Sequence, residues 1–433
     1  MRSSILIKMF SLFCFSLVVV SCDKSADNEI TTNEGVADKT VDSVAVENTI
    51  VSVPLVLTKA QEGYITADNT FAVNLLSKMD SLYADKGYFF SPISISTALS
   101  MLLNGTQGET AKEIIDAIGH GDDIDAVNDY YNQILSKSAS WDSEVTLSTA
   151  NALVSNESGN VKQSYSDILK SEYLADVSSF DFSNPAPVLD YINGWCREKT
   201  HGKIPNILDE VSSSALLYIL NAIYFKGEWS SPFYKENTKD AQFTTDNGGI
   251  VNIQMMNRID SLSYCRLEEM SLLELPYGNG SFAFQVLLPE KGTSDKALNS
   301  IKEDGWNELF SGLTKEEVFV SIPKFKVEQS SPYDMCPIVN DLGMKKIFIS
   351  SSDFTPMTDE SVFVSLILHK AAITLDEEGS EASAATIIGM TYSAGPDSET
   401  PSPQIVFKAD HSFYYAIVDK VNGLILFMGK YNG

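Results

Sequence analysis

The chain is poor in cysteine, histidine and positive charge. Its five cysteines (Cys14, Cys22, Cys196, Cys265 and Cys336) show no C-x-x-C spacing, so neither a disulfide framework nor a zinc site is expected. Four histidines scattered through 433 residues offer no metal cluster, and no metal or other cofactor is expected. Lysine and arginine total 31 against 58 acidic residues, a formal charge of −27. Phosphate binding needs clustered Lys and Arg, so a nucleic-acid partner is excluded and the acidic surface reads as a solubility device. The sequence also lacks a G-x-S-x-G elbow, a phosphate-binding G-x-x-x-x-G-K-[ST] loop and an H-E-x-x-H pair. Asp410, His411 and Ser412 supply the residue types of a hydrolytic triad. As neighbours at a strand entry, however, they point to alternate faces and cannot share one proton path. No turnover of its own is expected.

What the chain does have is core material. Hydrophobic residues make up 44%, enough for one large body. Helical periodicity runs through Phe71, Leu75, Leu76 and Met79, through Ile95 to Leu103, Ala111 to Ile118 and Ser164 to Leu174. Strand-like alternation dominates later, over Phe282 to Leu288, Val318 to Ile322, Val362 to Leu375 and Tyr414 to Val418. Helices first and strands later predict an α+β protein, and no internal repeat is present.

The N-terminus reads as a targeting segment. Arg2 and Lys8 flank an apolar run from Met9 to Val20, too short to span a bilayer comfortably. It closes on Val19-Val20-Ser21-Cys22, which resembles a bacterial lipoprotein cleavage box with Cys22 as the lipidated residue. The expectation is a signal peptide over 1–21 and an exported lipoprotein held at the cell envelope or surface by acyl chains on Cys22. Residues 22–65 then form a flexible acidic stalk; from Asp23 to Ala60 there is no aromatic residue. The remaining Cys196, Cys265 and Cys336 read as small hydrophobes.

Residues 376–413 are the most informative. From Gly379 to Thr391 there is no proline, and Glu381 is the only charge. Ala, Ser and Gly give a loop little to pack with, yet nothing forbids a long strand. In such a strand Ser380, Ala382, Ala384, Thr386, Ile388 and Met390 share one uncharged face, while Glu381 faces away. An acidic pair, Gly379, a small-residue run, a variable loop and then Phe407-Lys408-Ala409-Asp410-His411-Ser412-Phe413 together resemble the C-terminal signature of the serpins. Over 66–433 further motifs follow in that family's order. They are Phe90-Ser91-Pro92-Ile93-Ser94-Ile95, Asn104-Gly105-Thr106-Gln107-Gly108-Glu109-Thr110, Thr200-His201-Gly202-Lys203-Ile204 and Leu220 to Trp229. Leu275-Pro276-Tyr277, Leu287-Leu288-Pro289 and Ile322-Pro323-Lys324-Phe325 complete the set. Ser412 stands where many members have proline.

The resemblance implies the serpin fold: helices around a large, mostly antiparallel main sheet plus smaller sheets, with an exposed reactive loop at about 377–403. It implies a monomeric suicide-substrate inhibitor of serine or cysteine endopeptidases. The protease attacks a bait bond, an acyl-enzyme forms, and the freed hinge inserts into the main sheet. About twelve inserted residues at roughly 3.3 Å each would cover about 40 Å. The implied hinge is Glu377, Gly379, Ser380, Ala382, Ala384, Ala385 and Thr386. The resemblance places Ser91, Ser94, Asn221 and His369 where the sheet parts, and Trp229 where the loop first enters. Counting seventeen residues from Glu377 puts the bait bond at Ser393–Ala394, and the shorter register puts it at Tyr392–Ser393. Serine suits an elastase-like pocket and tyrosine a chymotrypsin-like one, so proteases of those two kinds are the expected partners. The alternative is a non-inhibitory serpin acting as a surface binding or carrier protein.

Overall fold

The computed structural model describes residues 54–328, 331–380 and 405–433. Its centre is built from the strands Phe282–Pro289, Phe413–Asp419 and Leu424–Tyr431, which are buried at every position. Such strands read as continuous apolar runs because both faces are covered. The helix Tyr64–Tyr83 packs against the last of them through Phe71, Leu75, Leu76 and Met79, the expected stripe.

The helix Pro92–Leu103 is buried nearly all round, and its start is written in the sequence. Ser91 caps it by accepting the Ser94 N–H at 3.3 Å, and Pro92 occupies the first turn. Gly108–Ile118, Ile124–Lys137, Gln163–Glu172 and Pro185–Lys199 complete the main helical layer.

One continuous path of strands carries the architecture. From one edge it runs Asp176–Phe180, Val145–Asn156, Leu217–Glu228, Gly379–Ser380, Ala372–Leu375 and Thr314–Glu328. The long Thr314–Glu328 then hands the path on to Ile250–Arg266, Met270–Tyr277 and the central buried strands. Lys239–Thr244 joins Ile250–Arg266, and Ile405–Lys408 lies parallel to Thr314–Glu328. This is the α+β arrangement expected: helices on a large, mostly antiparallel sheet, with the two-stranded ribbon Tyr333–Asp334 and Leu368–His369 apart from it.

Two expectations need correction. The strand read over Val362 to Leu375 is interrupted, with Leu368–His369 and Ala372–Leu375 as its paired pieces. Alternation marks which residues can lie in a sheet, but a strand also needs a neighbour, and residues 362–367 border a cleft. The stalk expected over 22–65 ends earlier. Leu55 is buried with its N–H on Asn422 Oδ1 at 2.9 Å. The Gln61 amide donates to Ala126 O and to Asp129, both at 2.8 Å. Tyr64 already starts the first helix. Isolated anchors in a polar stretch leave no periodicity to read.

Candidate functional site

Chemistry gathers where Gly379–Ser380 enters the main sheet. After Leu375 the chain turns sharply: the Asp376 N–H donates to Gly379 O at 2.9 Å, and the Glu378 N–H to Asp376 Oδ1 at 2.9 Å. Gly379 then pairs with Glu228, while Ser380 lies between Gly227 on one side and Leu375 on the other. Gly379 has φ of +153°, and a Cβ there would fall 2.1 Å from Gly227 O. Only glycine fits this approach.

Trp229 organises the entrance. Its indole N–H donates to Asp376 O and its backbone N–H to Glu378 O, both at 2.9 Å. The ring stacks on Tyr277 with centroids 4.6 Å apart. The Tyr277 hydroxyl in turn hydrogen-bonds the buried Ser380 hydroxyl. The Phe233 N–H holds Glu377 O at 2.8 Å. The Glu377 carboxylate pairs with Lys324 at 2.6 Å and accepts from Thr238 Oγ1 at 2.8 Å. Burial pushes that carboxyl upward, but Lys324 and Thr238 outweigh it and hold it below its usual range. Glu378 pairs with Lys235 at 2.8 Å near the surface. Asp376 is pushed up by burial.

Among the described residues the two halves of the sheet make no pairing beyond Ser380. Leu217–Glu228 and Ala372–Leu375 are neighbours in the strand order only through Gly379–Ser380. A small cavity bordered by Ile223, Phe225, Ile373 and Ser380 continues the line of the hinge. Lower down, a cleft of about 400 Å³ opens between Leu216, Tyr218 and Leu220 on one wall and Val364, Leu366 and Leu368 on the other. Ile95, Leu99 and Leu102 of the buried helix also line it.

Midway, each wall is tied to that helix rather than to the other wall. His369 Nε2 accepts the Ser91 N–H at 3.0 Å, and Ser91 Oγ donates to Leu426 O at 2.8 Å. Ser94 Oγ hydrogen-bonds Asn221 Oδ1, while Asn221 Nδ2 donates to Asn151 Oδ1 at 2.7 Å. Asn151 is fixed in turn on Tyr173 O at 2.8 Å. Burial lowers His369 to about 4, so its ring is neutral and carries its proton on Nδ1.

The structure thus brings Ser91, Ser94, Asn221 and His369 to one place, and Glu377, Gly379, Ser380 and Trp229 to another. Sequence reasoning did not single out Tyr277, Lys324, Thr238 or Asn151. Tyr277 and Lys324 did lie inside the Leu275-Pro276-Tyr277 and Ile322-Pro323-Lys324-Phe325 motifs, which were read only as markers of order.

Comparison with known proteins decides the family. The model described as "Serpin (serine protease inhibitor)" matches residues 66–433. Iripin-2 of the tick Ixodes ricinus is 34% identical over 392 residues, covering 87% of this chain and 96% of that protein. A serpin-like protein of Thermococcus kodakarensis is 32% identical over 379 residues, 87% of each chain. The chain belongs to the serpin family. The native structure of the thermophilic serpin tengpin agrees with a TM-score of 0.77 at 25% identity, covering 90% of this chain and 98% of that one.

Several positions singled out in this serpin fall outside the described residues: Cys22, Ala382, Ala384, Ala385, Thr386, Tyr392, Ser393 and Ala394. The triad-like residues are inside, and their geometry is more particular than strand alternation suggested. Asp410 and His411 do meet, with Oδ1 3.0 Å from Nδ1, but His411 Nε2 is engaged by Pro289 O at 2.6 Å. Ser412 turns away to Asn432. Among the described residues no helix is long and apolar enough to cross a membrane, and no acidic, His or Cys group has a metal-binding arrangement.

Proposed function

We propose that this serpin is an inhibitor of serine endopeptidases that works by loop insertion. The observation carrying this reading is the position of Gly379–Ser380. They already form two residues of a strand between the halves of the main sheet, and an apolar-walled opening continues from them. The following residues, Glu381 to Thr391, have the composition to extend that strand. Ser380 is buried, so an extension of that strand by insertion would put Ala382, Ala384 and Thr386 on the inward face by alternation. In the reaction the protease nucleophile attacks the carbonyl of Ser393, or of Tyr392 in the shorter register. The peptide bond breaks, the new amine leaves with the C-terminal part of the chain, and the acyl ester stays on the hinge side. Insertion then adds ladder hydrogen bonds worth about 1 kcal/mol each and buries apolar side chains at about 25 cal/mol per Å². A sum on the order of ten kcal/mol suffices to distort a protease that is itself marginally stable.

The same reading assigns Trp229, Tyr277 and Lys324 to the point of entry, and His369, Asn221, Ser91 and Ser94 to the place where the sheet parts. It includes export and anchoring through acylated Cys22, with 22–53 as the tether. The test is incubation of the body from residue 54 with elastase, chymotrypsin and trypsin. SDS-stable complexes and a new N-terminus at Ala394 or Ser393 are expected with the first two enzymes. Efficient cleavage without complexes would instead favour a non-inhibitory carrier or binding role.

A further inference from the structure

The sheet that carries the end of the reactive loop has an apolar row on its outer face. Ile259, Phe319 and Val406 stand side by side on three neighbouring strands: Ile259 is paired with Phe319, and Phe319 with Val406. Ile259 is 55% exposed and Val406 60% exposed, with Phe319 half-buried between them. On the same face the adjoining rows are polar, Asn257, Ser321 and Lys408 on one side and Ser261 with Glu317 on the other. The inward residues of these strands, Val318, Val320 and Phe407, are buried as a core should be, so the outer row is an addition to the fold rather than a part of its core. Single exposed apolar residues are ordinary, but three adjoining ones across three strands form a patch.

This patch is too small to hold a partner alone, since specific interfaces bury far more area. It gains meaning only for a partner that another contact already holds nearby. Val406 lies two residues after Gln404, and only eleven residues, Ala394 to Gln404, separate the proposed bait bond from this strand. Even fully extended, those eleven span less than about 40 Å. A protease engaged on the loop is therefore tethered at high effective concentration above this face.

We propose that Ile259, Phe319 and Val406 form an auxiliary docking surface for the target protease, seating an apolar rim on the side of the enzyme that receives the residues after the bait bond. This rests on the inhibitory reading above. The surface acts on the encounter, before the loop is cut, so it governs the association rate and target choice rather than the fate of the acyl-enzyme.

The test is the double variant Ile259→Thr with Val406→Thr, which keeps β-branched residues in both strands and removes the apolar row. Leu82→Thr, at an exposed apolar site on the first helix, is the control. Pancreatic elastase and chymotrypsin are the probes, with loop cleavage and SDS-stable complex measured together. The double variant should melt like the parent yet be attacked roughly tenfold more slowly by at least one enzyme, with an unchanged ratio of complex to cleaved product. The control should match the parent. Equal rates in parent and double variant overturn the docking surface while leaving inhibition intact. Cleavage without complexes overturns the inhibitory reading alone, because the cleavage rate still reports on the surface. A loop that neither enzyme attacks overturns both.

Discussion

At the hinge, Glu377, Glu378 and Ser380 are each held by a polar side chain from another part of the chain, Lys324, Lys235 and Tyr277 respectively. In the cleft below, the facing walls are Leu216, Tyr218 and Leu220 against Val364, Leu366 and Leu368. The first region is fixed by directional contacts that tolerate only particular residues. The second offers mainly apolar surface, which under the proposed mechanism would receive a strand whose inward side chains are small and uncharged. The contrast teaches how one sheet can be closed at its entrance and still be receptive along its length.

The contrast can be broken most severely at Ser380. Arginine there would place a bulky cation in a buried site against the Tyr277 hydroxyl, and in the proposed insertion every later inward residue follows that step. We expect Ser380→Arg to remain folded and to be cleaved as a substrate, with complex formation reduced more than a hundredfold. Retention of complexes on a denaturing gel would show that entry at Ser380 is not required. The complementary change fills the cleft instead of blocking it. Cleavage within 390–396 should raise the melting temperature by tens of degrees, because a new central strand adds its hydrogen bonds and burial at once. An unchanged melting curve after verified cleavage would remove the basis for insertion.

A smaller effect comes from pH. His369 titrates at about 4 in the folded chain, against about 6.5 when hydrated. Between those values the opened chain binds the extra proton, so the contribution of His369 to stability declines as pH falls from about 6.5 toward 4, by on the order of 3 kcal/mol, while Asp419, raised by burial to about 6, works in the opposite direction. Glu377, whose carboxyl is held low, loses its own contribution further down, below its ordinary value of 4.5. Urea titrations at pH 7 and pH 5 should therefore differ, and His369→Asn should flatten the part of the difference above pH 4.5. An identical pH dependence in that variant would reassign the titration to another group.

Smaller still is Glu377→Gln, which keeps the Thr238 contact and removes the charge facing Lys324. Because Lys324 is partly exposed, the expected loss is about 1 kcal/mol, read as a shift in the denaturation midpoint. The least effect should come from the N-terminus. Deleting residues 22–53 should leave the melting temperature unchanged, whereas deleting through residue 61 should lower it by a few degrees by removing Leu55 and Gln61. Equal stability of the two truncations would show that the Leu55 and Gln61 contacts add nothing.

Local signals made much of the fold legible. Ser91-Pro92 announces a capped helix, Phe282 to Leu288 a strand buried on both faces, and Phe71 to Met79 a helical stripe. The strand expected over Val362 to Leu375 failed in part because sheet membership depends on a neighbour that periodicity does not reveal. The entrance contacts were hidden for a related reason. Lys324 and Glu377 are 53 residues apart, Tyr277 and Ser380 are 103 apart, and Ser91 and His369 are 278 apart. Nothing in any one of these segments names its partner. Motif order located Trp229 and His369, but only the folded chain shows what each of them holds.

The last two long strands carry a consequence for what cutting means. Phe413–Asp419 and Leu424–Tyr431 lie in the middle of the core, and the ammonium group of buried Lys430 bridges Asp80 at 3.1 Å and Asp246 at 2.6 Å. A break at residue 393 leaves a forty-residue C-terminal piece with no covalent link to the rest of the chain, yet its side chains are the ones around which the rest is assembled. Extracting it would expose those strands to water and strand two carboxylates opposite an empty place. In water the severed chain should therefore migrate as one particle and fall into two only when denatured, so that a backbone cut leaves mass and shape nearly untouched while freeing one loop end to travel.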